Sequence, residues 1–507
     1  MGYRSFKTAG LLLSIDGSLI HYSIFRWIFA FHSVHMKYAV ILIFLFFSIP
    51  GSAQLLPTPS YWQGELPSTK KLLVAFHFST DSAGAINATM DSPGEGTLAI
   101  KCSDVQQRGD SLFLNIPTLK ARFEGKLNNT AITARWKQGS LIVPLELKKT
   151  NFPVSYSKIK TQEPKPPFPY FSEDVEYNNA DSSVHLGATI TRPAKAGTYP
   201  AVILISGSGQ QDRNEFMLGH KPFAVIADHL TRNGFMVMRV DDRGIGRSKG
   251  DLKKATTADF AKDVETSLDF LLKRNDVDRK KIGLIGHSEG GMIAPMVAVN
   301  RKEISFLILL AGPGYKIAEV MADQNEAILK QSGFSDSAAA NYRKFYLQLV
   351  PAIANAPNDS LALLNGVGLF NVWQARENAS VVTALTSVPQ FSTPEKFIKI
   401  FVSQVRSAWW TFFINYDPEP ALKQLKIPIL ALNGSRDIQI LPKSAEHIKS
   451  IVQQTGNKKS QVYILPELNH LFQQCYYCVT AEYGQLEQTF SPLALKKISD
   501  WMNMITR

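Results

Sequence analysis

Lys281-Ile-Gly-Leu-Ile-Gly-His-Ser-Glu-Gly-Gly291 is the stretch on which the reading of the chain turns. Its apolar run (Ile282, Leu284, Ile285) predicts a buried strand. Gly286-His287-Ser288-Glu289-Gly290 predicts a tight turn, and the apolar residues from Met292 to Ala298 predict a helix. A serine on a sharp strand-to-helix turn, flanked by glycines, is a nucleophile elbow. The serine backbone there is strained, and Cβ atoms two residues to either side would collide with the strand and helix being joined.

A hydroxyl is a weak nucleophile until a base takes its proton, and the base needs an acid to orient it. After an elbow of this kind the acid and then the histidine come later in the chain. Asp437 follows a predicted strand at 429–432 through Asn433-Gly-Ser-Arg436, and His470 follows a predicted strand at 462–465 through Pro466-Glu-Leu-Asn469. The competitors are less well placed. Asp241 and Asp242 end a strand before the nucleophile, His287 lies inside the elbow, and His220 and His229 fall in an early helical region. An oxyanion hole needs two backbone N–H groups: Glu289, after the serine, supplies one. The loop after Ile205 supplies the other, through Ser208, or through Gly209 or Gln210 if that loop is shifted.

Outward from the elbow, strand and helix signals alternate, which predicts a mostly parallel sheet with helices on both faces. Strands are expected at 201–205, 235–240 and 306–310, and helices at 223–231 and 257–272, the latter with Phe260, Val264, Leu268 and Leu271 on one face. Between about 315 and 420 the alternation stops. Helices are expected at 317–330, 338–353 and 396–413, with Trp373, Trp409, Trp410, Phe412, Phe413 and Tyr416 among them. An insertion at this point would lie over the carboxyl ends of the strands as a lid, most of its aromatics forming its own core and one or two shaping the cleft.

Upstream, six short strand-like runs (72–78, 98–101, 111–116, 120–123, 131–136, 141–147) are separated by turn residues such as Asp91-Ser-Pro-Gly94, which predicts an all-β accessory domain over 54–150. His77 within it is expected to pack rather than to bind a metal. Five prolines among polar residues make 151–172 a linker, and 173–507 the catalytic domain. At the N-terminus, Lys37, the apolar 38–49 and Gly51-Ser52-Ala53 form a signal peptide. Translation is therefore expected to start at Met36 and the mature chain near Gln54; the alternative is a retained anchor. The formal charge of +12 is dispersed, without a basic block or an aromatic-interleaved basic stripe, which argues against nucleic-acid binding. Cys475 and Cys478 lack the further ligands of a zinc site and could form a disulfide in an exported protein, and Cys102 is expected to pack as a small apolar residue.

Gly207-Ser-Gly-Gln-Gln-Asp-Arg213, Asp241-Asp-Arg-Gly-Ile-Gly-Arg-Ser248, Gly286-His-Ser-Glu-Gly-Gly291, Tyr416-Asp-Pro418, Asn433-Gly-Ser-Arg-Asp437 and Leu468-Asn-His-Leu-Phe-Gln473 together resemble a group of bacterial α/β-hydrolase carboxylesterases, grouped by sequence with serine aminopeptidase-like hydrolases. The pattern from Trp62-Gln-Gly64 through Asp91-Ser-Pro93 to Pro144-Leu-Glu-Leu147 is similar to the small lipocalin-like domain that precedes some of them. The resemblance implies an α/β-hydrolase fold with a helical lid and a catalytic Ser288, Asp437 and His470. Two departures stand out: Gln211 where proline is expected, and Cys475-Tyr-Tyr-Cys478 after the histidine. The expected function is an exported (periplasmic or secreted) serine hydrolase acting on small-molecule carboxylic esters, without metal or organic cofactor. An aminopeptidase or amidase of the same fold is the alternative, and a non-catalytic envelope-binding protein a more distant one.

Overall fold

The computed structural model describes residues 56–507 apart from 68–71, 82–83, 93–96, 129, 140, 151–159, 387, 390–391 and 477. The expected signal peptide, the start at Met36 and the first part of the proline-rich stretch lie outside the described residues. The chain divides into two compact units.

The first is a nine-stranded antiparallel sheet: β1 (Ser60–Leu66), β2 (Leu72–Thr80), β3 (Ile86–Ser92), β4 (Thr97–Lys101), β5 (Ser103–Arg108), β6 (Ser111–Ile116), β7 (Ala121–Leu127), β8 (Ala131–Gln138) and β9 (Leu141–Thr150), in the order β4-β3-β2-β1-β9-β8-β7-β6-β5. The sheet curls until its edges approach: β5 comes back beside β3, and the Cys102 N–H bonds to the Ala88 carbonyl. Alternate residues such as Phe123 and Leu127 on β7 and Ile132 and Trp136 on β8 point inward around Trp62 and Phe76, the period of two that a half-buried strand requires. Three strands lie beyond the six expected. β3 (INATMDS) and β5 (SDVQQR) carry too few apolar residues to signal themselves, and their ladders come from their neighbours. β3 also runs through Asp91 and Ser92, where a turn was expected. His77 packs edge-on against Tyr61, with ring centroids 5.2 Å apart.

In the second unit, eight strands form one sheet: β10 (Tyr170–Asn178), β11 (His185–Pro193), β12 (Tyr199–Ile205), β13 (Met236–Val240), β14 (Val277–His287), β15 (Ile304–Leu310), β16 (Ile429–Gly434) and β17 (Gln461–Leu465), in the order β10-β11-β13-β12-β14-β15-β16-β17. Only β11 runs against the others, since it is antiparallel to both β10 and β13 while every later pair is parallel. Counted within the sheet, the order is 1-2-4-3-5-6-7-8, an α/β-hydrolase sheet. Apolar side chains fill both of its faces. Helices α1 (Pro222–Arg232) and α12 (Pro492–Thr506) cover one; α2 (Thr257–Leu272), α3 (Gly290–Asn300) and α11 (Lys443–Thr455) cover the other.

Between β15 and β16 the chain leaves the sheet for α4 (Ile317–Gln331), α5 (Asp336–Ala354), α6 (Asp359–Gln374), α7 (Ala379–Thr386), α8 (Pro394–Val405), α9 (Ala408–Asn415) and α10 (Glu419–Gln424). The single helix expected over 396–413 is two. Ser407 breaks it, its Oγ accepting the Trp410 N–H at 3.3 Å as the N-cap of α9. α6 had no sequence signal, because Leu-Ala-Leu-Leu-Asn-Gly-Val-Gly-Leu-Phe is apolar nearly all round and interrupted by Gly366 and Gly368. Trp373 and Phe370 of α6 join Phe345 of α5 and Phe397 of α8 in the core of this cap. In the stretch expected to be a linker, Gln162 exchanges hydrogen bonds with the backbone of Thr489 and Phe490, and Tyr170 already belongs to β10. No helix among the described residues is long and apolar enough to cross a membrane.

Candidate active site

The parallel strands bring three separated loops to one end of the sheet. Ser288 follows β14 with φ at +52°, a left-handed backbone that a non-glycine residue adopts only when its surroundings enforce it. They do so here: the Ser288 N–H bonds to the Leu310 carbonyl of the neighbouring strand at 2.9 Å, and Gly291 closes the turn onto the Ser288 carbonyl at 2.8 Å. A Cβ at Gly290 would meet the backbone of Ile205 and Ser206, so the elbow has no room for a larger residue there.

Asp437 follows β16, and its side chain is fully buried. Its Oδ1 accepts the N–H groups of Gln439 (2.8 Å) and Ile440 (2.9 Å), while Oδ2 lies 2.9 Å from Nδ1 of His470, the residue brought in by the loop after β17. A carboxylate can only accept, so this bond places the imidazole proton on Nδ1 and leaves Nε2 as the lone-pair nitrogen. Among the described residues no hydrogen bond joins Ser288 Oγ to His470. In unliganded hydrolytic sites this contact is often long and tightens around substrate. The loop carrying His470 is held by Asn469, whose Oδ1 accepts the N–H groups of Leu471 and Gln473, and by a disulfide between the buried Cys475 and Cys478. Cys102 stays unpaired and partly buried, its thiol pushed up to about 12 by burial.

Of the loop after β12, Gly207 directs its N–H at Glu215 Oε1 (2.7 Å), whereas the N–H groups of Ser208 and Glu289 have no acceptor among the described residues. A Cβ at Gly207 would stand 3.1 Å from Ser288 Cβ, which shows how closely this backbone passes the serine. Asp242 holds the loop from behind, accepting from Ser206 Oγ at 2.9 Å and the Gln211 N–H at 3.0 Å. Gln211, in the place of an expected proline, thus contributes an N–H that proline lacks. Asp241 is occupied elsewhere. It binds the Arg213 guanidinium and the N–H groups of Arg213 and Arg247, and although burial works against its charge, these bonds hold it below the usual carboxylate range. A cavity of about 40 Å³ behind the loop, lined by Asp242, Asp263, Glu289 and Ser206 but by neither Ser288 nor His470, has room for a water molecule or two.

Two side chains at the site gave no sequence signal. Glu215 accepts from Gly207 and pairs with His287 Nδ1 at 2.8 Å. It lies just past the Gly207–Arg213 stretch, and nothing local marks a buried carboxylate. Glu289 was expected only for its N–H, yet its carboxylate takes Thr257 Oγ1 at 2.6 Å, Trp409 Nε1 at 2.9 Å and the Ser208 hydroxyl. Burial pushes this carboxyl above its ordinary value, against the pull of those bonds. Trp409 is the cap aromatic that reaches the elbow. His220 and His229 are structural, bonded to Thr489 and to Ser499.

A family profile described as "Serine aminopeptidase, S33" matches residues 220–473, a span that holds Ser288, Glu289, Asp437 and His470 but stops short of Ser208. The chain is 26% identical over 307 residues to Esterase EstD of Thermotoga maritima; the match covers 60% of this chain and 62% of that protein. Among solved structures, a Pyrococcus furiosus esterase shares 15% identity at a TM-score of 0.40, over 67% of this chain and 92% of that one. Ferulic acid-bound Est1E of Butyrivibrio proteoclasticus shares 16% identity at 0.37, over 66% and 99%.

Proposed function

Since the chain belongs to the S33 serine aminopeptidase family of α/β-hydrolases, we propose that it is a serine hydrolase that cleaves small carboxylic esters through an acyl-enzyme. The observation that carries this reading is the left-handed Ser288 on its elbow beside an Asp437-oriented His470. In the proposed reaction Ser288 Oγ attacks the ester carbonyl carbon and gives its proton to His470 Nε2. The tetrahedral oxyanion accepts from the N–H groups of Ser208 and Glu289, each worth roughly 3 kcal/mol of barrier. His470 then passes the proton to the departing alkoxide, and the alcohol leaves. Water attacks the acyl-serine, surrenders a proton to His470, and the carboxylic acid and free Ser288 are regenerated.

The 26% identical esterase supports ester over amide substrates. An aminopeptidase would need a carboxylate free to receive the substrate ammonium, and the carboxylates of Glu289, Asp242 and Glu215 are already engaged by protein donors. Export follows from the leader-like 36–53, and the lipocalin-like β unit is assigned an accessory role. The test is labelling by a fluorophosphonate probe, with turnover of p-nitrophenyl acyl esters set against amino-acid anilides. Labelling that vanishes in Ser288→Ala, with esters the better substrates, is expected. Labelling that survives the substitution, or cleavage of anilides alone, would overturn the reading.

A further inference from the structure

Glu215 and His287 are buried together, and neither takes part in the proton transfers proposed above. The Gly207 N–H bonds to Glu215 Oε1 at 2.7 Å, the same oxygen lies 2.8 Å from His287 Nδ1, and His287 Nε2 lies 3.0 Å from the main-chain carbonyl of His470. These three short contacts tie together the residue before Ser208, the residue before Ser288 and the backbone of the histidine itself.

The chemistry of the acceptors constrains the protons. A carbonyl oxygen can only accept, so Nε2 of His287 carries hydrogen. Glu215 Oε1 already accepts from Gly207, and its bond to Nδ1 is satisfied when that nitrogen also donates. With Glu215 as a carboxylate both ring nitrogens carry protons, which makes His287 an imidazolium and Glu215 its counter-ion. Burial opposes a charged imidazole, but Glu215, with the His470 carbonyl and the charge of Asp437 behind it, holds His287 above the ordinary histidine value. The backbone also signals a constrained position: Glu215 has φ at +52°, in a turn where Asp212 Oδ1 accepts the N–H groups of Asn214 and Phe216.

We propose that Glu215 and His287 form a buried ion pair that positions the oxyanion loop and the general base relative to Ser288. Both are positioning residues, acting through Ser208 and His470. The pair occupies the place where the Gly207 N–H would otherwise point, which leaves the next N–H along the loop for the substrate oxygen. Its loss would let the oxyanion donors and His470 drift apart, and an error of about 1 Å in such geometry costs up to roughly 10²-fold in rate. The consequence falls on the transition state rather than on substrate binding.

The proposal rests on Ser288 being the nucleophile, and the experiment keeps the two apart. In the full-length protein labelled with 15N-histidine, nitrogen–proton correlation spectra at neutral pH, where an ordinary histidine has largely lost its second proton, should show one histidine, identified by its loss in His287→Gln, with both ring nitrogens protonated. Glu215→Gln should abolish that signature, lower kcat by roughly 10- to 100-fold with KM within about twofold, and weaken a boronic acid that mimics the tetrahedral oxyanion by the same factor. Glu215→Asp, which keeps the charge, should recover part of kcat and the doubly protonated signal. A singly protonated His287 in the wild type, or a Glu215→Gln variant that melts earlier but keeps wild-type kcat and boronate affinity below its melting point, would overturn it. Failure of the wild type to label with fluorophosphonate would instead overturn Ser288, and the spectrum of His287 reports on the pair in either case.

Discussion

Trp409 of the cap donates its indole N–H to Glu289 Oε1 at 2.9 Å, so the helical insertion is fastened to the residue that follows the serine. Trp409 also stacks on Phe413, with ring centroids 4.8 Å apart. Trp409→Phe keeps an aromatic face against Phe413 and removes only the donor. Glu289 retains Thr257 and Ser208, so the fold should survive with a loss of about 1–2 kcal/mol, roughly 2–6 °C in thermal midpoint. Because the lost bond joins the cap to the elbow, KM for bulky acyl esters should rise more than KM for acetyl esters. Calorimetry beside a series of p-nitrophenyl esters checks both parts, and a uniform change across the series would mean that the cap does not frame the acyl site.

Asp437→Asn tests the orienting acid. The amide still accepts at one oxygen from Gln439 and Ile440, so folding should be preserved. Its NH₂, however, can donate to His470 Nδ1 and favour the tautomer with the proton on Nε2, where it cannot accept from serine. Ester turnover should fall by about 10⁴-fold at an unchanged thermal midpoint. Near-normal turnover would mean that another carboxylate orients His470.

Asp241→Asn should do the opposite. Asp241 and Arg213 form an ion pair at 2.6 Å with both side chains largely buried, and the same carboxylate caps the turn at Arg247. Removing the charge leaves the Arg213 guanidinium with the more exposed Asp174, 3.2 Å away, as its remaining ion-pair partner, so the cost should fall below the roughly 3–5 kcal/mol of a buried pair that loses its one partner. The expected result is a clear drop in thermal midpoint, with kcat of the folded protein near the wild-type value. Collapse of kcat in a still-stable variant would place Asp241 in the catalytic machinery.

The order Ser288, Asp437, His470 was legible in the sequence because each residue sits in a short, Gly- or Asn-rich loop directly after an apolar strand, and such loops gather at one end of a parallel sheet. The side-chain contacts around these loops were not legible. Glu215 and Glu289 make long-range contacts, to His287 and to Trp409, and neither pairing has a spacing or period that a sequence could display. Elements failed to show themselves for a related reason. β3 and β5 are too polar to announce a buried face, and α6 too uniformly apolar to display an amphipathic one, so all three were decided by tertiary neighbours. The break at Ser407 was a local signal, an N-cap serine, hidden inside a longer apolar run.

Asp242 limits stability toward alkaline pH. Burial pushes its carboxyl up to about 8, helped by the nearby Glu289 and Glu215 charges and opposed by the bonds from Gln211 and Ser206. An unfolded aspartate loses its proton near about 3.9. Between those two values the folded protein holds a proton that the unfolded chain has released, so stability from this group is complete below about pH 4. It is lost progressively as pH rises through about 8. Asp242→Asn is neutral at every pH, and its amide can still accept from the Gln211 N–H and donate to Ser206 Oγ. The variant should match the wild type in thermal midpoint near pH 4 and exceed it increasingly up to about pH 8, staying above it beyond, with ester turnover at neutral pH preserved because the loop at 206–211 keeps its anchors. Thermal midpoints of both proteins across pH 4–9 decide the matter: curves that run parallel above pH 5 would mean that Asp242 is ionised there in the folded state, and that its two donors outweigh its burial.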